Sequence, residues 1–150
     1  MKTRLAPANI VILGAGVVML LGSFLSFYEF SISIAGFSRS DSFSAWGSAD
    51  SFGVFGIATV VVLCGVVMAA QVAIEAFARG VRLPAKVLGL TWDQVHLALG
   101  FQAAVMMVAF LIRAKPSVLE FGIGFWFMLL SGIALLFGAI MRVNAGTNAT

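Results

Sequence analysis

Four apolar runs separated by three polar stretches of unequal length set the pattern of this chain. Ile10 to Tyr28 carries no charge. Phe52 to Phe77 carries none before Glu75, Trp92 to Ile112 holds Asp93 and His96 near its start, and Leu119 to Met141 closes at Arg142. Each run is close to the ~20 residues that cross ~30 Å of hydrocarbon. Pro7, Pro84 and Pro116 all fall outside the runs, where a missing N–H costs nothing. Thr91-Trp-Asp-Gln94 has the form of a capping box and opens the third run. The pattern predicts an all-α membrane protein. It is an antiparallel four-transmembrane-helix bundle forming one domain over 1–150, with helices over about 10–28, 52–77, 92–112 and 119–141.

The first connection, 29–51, follows a different period. Phe30-Ser-Ile-Ser-Ile34 alternates apolar and polar, and after Ala35-Gly36 the alternation resumes, with Phe37, Arg39, Asp41 and Phe43 against Ser38, Ser40, Ser42 and Ser44. Period two marks extended strand, and a glycine-bearing connection marks a hairpin. Two strands alone are marginal in water, so the apolar face has to rest on something. Phe30, Ile32, Ile34, Phe37, Phe43 and Trp46 form the candidate partner surface on this β-hairpin.

Composition agrees with the membrane reading. The chain of 150 residues is 61% hydrophobic and 10% charged, with a mean hydropathy of +1.09. A soluble domain is nearer 45–50% apolar and about 25% charged. No basic run is long enough to neutralise a row of phosphates, which argues against nucleic acid. The single Cys64 and single His96 suggest no metal ligand set, no catalytic constellation and no cofactor. The opening also fits a cleaved signal peptide, but no Ala-x-Ala site follows, so the first helix is expected to remain.

With both termini on one side, that side collects Lys2, Arg4, Arg79, Arg82, Lys86 and Arg142, against Arg39, Arg113 and Lys115 on the other. The bias puts the termini in the cytoplasm and the hairpin outside the plasma (inner) membrane.

Polar side chains inside membrane helices are costly and so become functional candidates. Gln71, Glu75, Asp93, His96 and Gln102 form the candidate polar cluster. Glu75 and His96 fall at similar depth on neighbouring antiparallel helices. Glu75 also has Arg79 at i+4 as an interfacial partner, and Asp93 can help cap its helix. Small residues at helical spacing, namely Gly65, Ala69 and Ala73, then Gly100 and Ala104, then Ala134 and Gly138, are candidate packing faces.

The run Leu83-Pro-Ala-Lys-Val-Leu-Gly-Leu-Thr-Trp-Asp-Gln-Val-His96, with Gly-Ile-Gly-Phe-Trp126, resembles a family of four-span membrane proteins of actinobacteria. That resemblance implies a bacterial plasma-membrane protein and carries no activity with it. Four helices with a strand-forming first outer loop are also similar in layout to claudins. The paired loop cysteines and Trp-Gly-Leu-Trp signature of claudins are absent, so only the layout is shared. The expected function is that of a non-enzymatic accessory or scaffold subunit in the lipid bilayer. Its outer loop and helix faces would bind another membrane protein or a second copy. The alternative is a small proton-coupled transporter or sensor using Glu75, His96 and Gln102.

Overall fold

A computed structural model describes residues 5–34, 37–47, 55–78, 80–81, 83–113 and 119–147. In chain order the elements are α1 (Pro7–Gly22), β1 (Ser26–Ile34), β2 (Phe37–Ser44), α2 (Phe55–Phe77), β3 (Lys86–Val87), β4 (Leu90–Thr91), α3 (Trp92–Ile112), β5 (Leu119–Phe121) and α4 (Ile123–Thr147). α2, α3 and α4 are long and apolar enough to cross a membrane. α1 is apolar but has 16 residues, about 24 Å at 1.5 Å per residue.

The helices pack in the cyclic order α1–α2–α3–α4, with α2 and α4 on a diagonal. Backbones approach closely where side chains are missing. A Cβ built on Gly16 would lie 2.5 Å from the Ala69 Cβ and 2.9 Å from the Gly65 carbonyl oxygen. One on Gly100 would lie 2.9 Å from the Leu136 Cα, and one on Gly138 would lie 2.8 Å from the Ile12 Cγ1. Gly65, Ala69, Gly100 and Gly138 therefore serve contacts within the molecule. Ala104 is buried, and Ala73 and Ala134 are half-buried. The fully buried interior is filled by Ile12, Met19, Met68, Met107, Met128 and Leu135, while Leu21, Phe101, Leu130 and Phe137 point outward.

The hairpin is present, and it gains a third strand. β1 pairs with β2 from Ile34↔Phe37 to Tyr28↔Phe43, and its other edge pairs with β5 through Tyr28↔Phe121, Glu29↔Glu120 and Phe30↔Leu119. A register shift between Ser26 and Tyr28 inserts Phe27 as an extra residue. Such a bulge lets consecutive side chains avoid strict alternation. Phe27 accordingly enters the core against Phe110 and Phe125, while Tyr28 stacks on Phe121.

Two expected boundaries are corrected by this sheet. The first helix ends at Gly22 rather than near 28, because Ser26–Tyr28 belong to β1. The fourth begins at Ile123 rather than 119, because Leu119–Phe121 are β5, and it runs past 141 to Thr147. Glycines explain the tight passage there. A Cβ on Gly124 would meet the Gly22 carbonyl oxygen at 2.7 Å, and the Gly122 N–H donates to the Phe27 carbonyl at 3.1 Å.

The connection between α2 and α3 is also structured. β3 and β4 form a small hairpin with Leu88 at φ 52 and Gly89 at φ 82, the two positive values that a type I′ turn needs. α3 then starts at the expected capping box, with Thr91 Oγ1 accepting from Gln94 N–H and the Gln94 side chain accepting from Thr91 N–H.

Candidate functional site

At the end of the molecule remote from the sheet, one guanidinium joins all four helices. Arg142 of α4 donates from Nε to Asp93 Oδ1 of α3 at 2.7 Å, and from Nη2 to Glu75 Oε2 of α2 at 3.0 Å. Its Nη1 reaches Asn9 Oδ1 of α1 at 3.3 Å and Gln71 Oε1 of α2 at 3.5 Å. The five donors of a planar guanidinium suit such a junction, since one group can serve several acceptors at once. The Arg142 side chain is only 17% exposed, against 36% for Glu75 and 40% for Asp93. The cation is sheltered, and the two carboxylates reach toward the surface.

His96 stands one turn along α3 from Asp93, fully buried, within electrostatic reach of Arg142 and Asp93. Among the described residues, neither of its ring nitrogens has a hydrogen-bond partner, nor does Gln71 Nε2. A buried polar atom without a partner costs about 1–3 kcal/mol, so these atoms stand out beside the hydrogen-bonded guanidinium.

Of the five candidate cluster residues, four meet here: Gln71, Glu75 and Asp93 on the guanidinium, with His96 beside them. Gln102 does not. It is exposed on α3 and donates to Met106 Sδ of the same helix at 3.3 Å. The expected Glu75–Arg79 pair involves a residue outside the described ones, and Glu75 is held by Arg142. Asp93 lies in the first turn of α3, whose N-cap is Thr91, and its carboxylate pairs with Arg142. Arg142 and Asn9 are additions that the sequence reading does not single out. Their signal is faint: an arginine that an apolar helix continues past, and an asparagine one turn into another. Among the described residues, no group of three or more His, Cys, Asp or Glu is placed to hold a metal ion.

The sheet end forms the second candidate site. Ser23 and Ala45 tie β2 to the helices: the Ala45 N–H donates to the Ser23 carbonyl at 3.1 Å, and Thr59 Oγ1 donates to the Ala45 carbonyl at 3.1 Å. Trp46 Nε1 donates to Ser23 Oγ at 2.7 Å, and its ring stacks on Phe24. Trp46 is thus a mounting residue more than a free contact. Phe30 also packs against the core, whereas Ile32 and Phe43 are half-buried. Ile34 and Phe37 close the hairpin register. Burial pushes the Tyr28 hydroxyl above its ordinary pKa, with Arg113 acting in the opposite sense.

The two faces of the sheet differ. Tyr28, Phe30, Leu119 and Phe121 share one, and Phe121 stacks on Phe125 of α4. Glu29, Glu120, Ser31, Ser40 and Ser42 line an open polar depression of about 340 Å³ on the other. No family model, curated protein or solved structure matches the chain.

Proposed function

We propose that this chain is a small, non-catalytic scaffold subunit of a bacterial plasma membrane, crossing it four times with both termini in the cytoplasm. On this reading the helices are a mount, clasped on the cytoplasmic side by Arg142, and the sheet outside is what a partner binds. One observation carries the proposal. The sheet is fixed to α1, α2 and α4 by hydrogen bonds and stacked aromatics, yet β2 lies at its edge with β1 as its paired neighbour. A strand edge held rigidly, with no second strand beside it among the described residues, is suited to binding another chain by strand addition, because its N–H and C=O groups are already aligned.

Affinity purification of the full chain in mild detergent tests this. Ser40→Pro removes a backbone donor from β2, and proline is tolerated on an edge strand. A stoichiometric partner retained by the wild type and lost by Ser40→Pro supports the scaffold reading. Recovery of both as lone chains overturns it.

A second reading draws on the opposite end. Two carboxylates sharing one guanidinium, next to a His96 without a hydrogen-bond partner among the described residues, suit a proton-responsive clasp. Proton-linked flux in liposomes that disappears in Glu75→Gln supports that reading.

A further inference from the structure

We propose that the partner of the sheet is a second copy of this chain, joined through β2 in an antiparallel pairing centred on Ser40. The inference rests on the scaffold reading and names its partner. Two three-stranded sheets would then become one of six strands, related by a two-fold axis.

The strand is built for self-pairing. Phe37-Ser-Arg-Ser-Asp-Ser-Phe43 is symmetric about Ser40, except that positions 39 and 41 carry opposite charges. A two-fold axis at Ser40 sets Arg39 opposite the partner's Asp41, and Asp41 opposite the partner's Arg39. Position 37 faces position 43, and serine faces serine. Arg39 and Asp41 already lie 3.6 Å apart within one chain, 82% and 53% exposed. Pairing would extend them into a quartet of alternating charge.

The hydrogen-bond phase agrees. The Ile34↔Phe37 register leaves two residues in the connection, and a two-residue hairpin closes on a hydrogen-bonded pair. Alternation then turns the backbone groups of Phe37, Arg39, Asp41 and Phe43 toward β1, and those of Ser38, Ser40 and Ser42 toward the open edge. The Ser40-centred register matches these outward groups: Ser40 with Ser40, and Ser38 with Ser42. Arg39 and the partner's Asp41 fall at a non-hydrogen-bonded position, where Cα atoms are about 4.5 Å apart and side chains are closest.

Neighbouring registers are disfavoured. Moving the axis to position 39 sets Arg39 against Arg39, and moving it to position 41 sets Asp41 against Asp41. Like charges directly opposite are destabilising. An axis midway between two residues breaks the hydrogen-bond phase. Phe37–Ser44 contains no proline or lysine, two residues that blunt a strand edge, and the register irregularity lies at Ser26/Tyr28 on β1. Among the described residues, β1 is the element that packs along β2.

Charge reversal in the full chain, with self-association measured in detergent, tests the proposal. Arg39→Asp or Asp41→Arg alone places like charges opposite twice per dimer and is expected to weaken association about tenfold or more. The double variant restores complementarity and is expected to return within about threefold of wild type. Single cysteines then fix the register, because about 5.5 Å between Cα atoms of a hydrogen-bonded pair is within disulfide reach. Ser40→Cys is expected to give a disulfide-linked homodimer on mild oxidation. Ser38→Cys and Ser42→Cys are expected to cross-link readily when mixed and slowly when alone. Single reversals without effect, a double variant no better than the singles, or equal cross-linking at all three serines would overturn the pairing. A monomer whose Ser40→Cys variant cross-links to a different protein also overturns it, while leaving the scaffold reading intact. No cross-linked species of any kind removes both.

Discussion

Among the described residues, a guanidinium shared by two carboxylates and two side-chain amides joins all four helices, and its worth depends on what removal would expose. Arg142→Leu leaves Glu75 and Asp93 facing each other without a cation. Breaking a buried ion pair costs about 3–5 kcal/mol, but the carboxylates here are 36% and 40% exposed, and water recovers part of that. The expected loss is about 2 kcal/mol, measured as unfolding in detergent. Adding Glu75→Gln and Asp93→Asn to the same chain should recover some of it. His96 predicts the opposite direction. Its imidazole is buried without a partner among the described residues, so His96→Leu is expected to keep stability or raise it by about 1 kcal/mol in the same measurement; a clear loss would mean that the ring is hydrogen-bonded. Gln71, Glu75, Asp93 and His96 were legible in the sequence because polar residues stand out within apolar helices. Arg142 was not, since an arginine closing an apolar run reads as an interfacial charge until three other helices are placed around it.

At the level of elements, hydropathy located the helices and misjudged three of their ends, two of them where the sheet begins. Phe24 to Tyr28 carries no charge, and Glu120 is the one charge between Leu119 and the start of α4, so each stretch reads as a continuation of its helix, whereas the strands they enter are set by pairing with each other and with β2, a long-range effect that no local window carries. The hairpin was legible because a helix cannot keep period-two alternation on one face, and a glycine at the midpoint marks where the strand reverses. α3 was legible because its capping box is local. The Gly-Ile-Gly124 motif also finds a role, as the place where α4 lets the end of α1 pass against its backbone. Helix crossings can be tested with a matched pair. Gly16→Ala drives a methyl into Ala69 and the Gly65 carbonyl and is expected to cost about 1–3 kcal/mol. Gly14→Ala, with nothing within 4 Å, is expected to be neutral or mildly stabilising. Thermal unfolding of the two variants side by side checks the packing.

For the whole molecule, the polar clasp and the sheet lie at opposite ends of the helices, and each is held in place by contacts the other does not share. That separation fits the proposed division of roles, in which Arg142 would set how the four helices close and the edge of β2 would set what the protein meets. The proposed contact surface at the sheet edge is tested by the mass of the detergent-solubilised full chain for wild type, Ser40→Pro and the Arg39→Asp/Asp41→Arg double variant. A dimer is expected for wild type and for the double variant, and a monomer for Ser40→Pro with unchanged helix content. A wild-type chain that runs as a monomer without any partner, or a Ser40→Pro chain that remains a dimer, would contradict it.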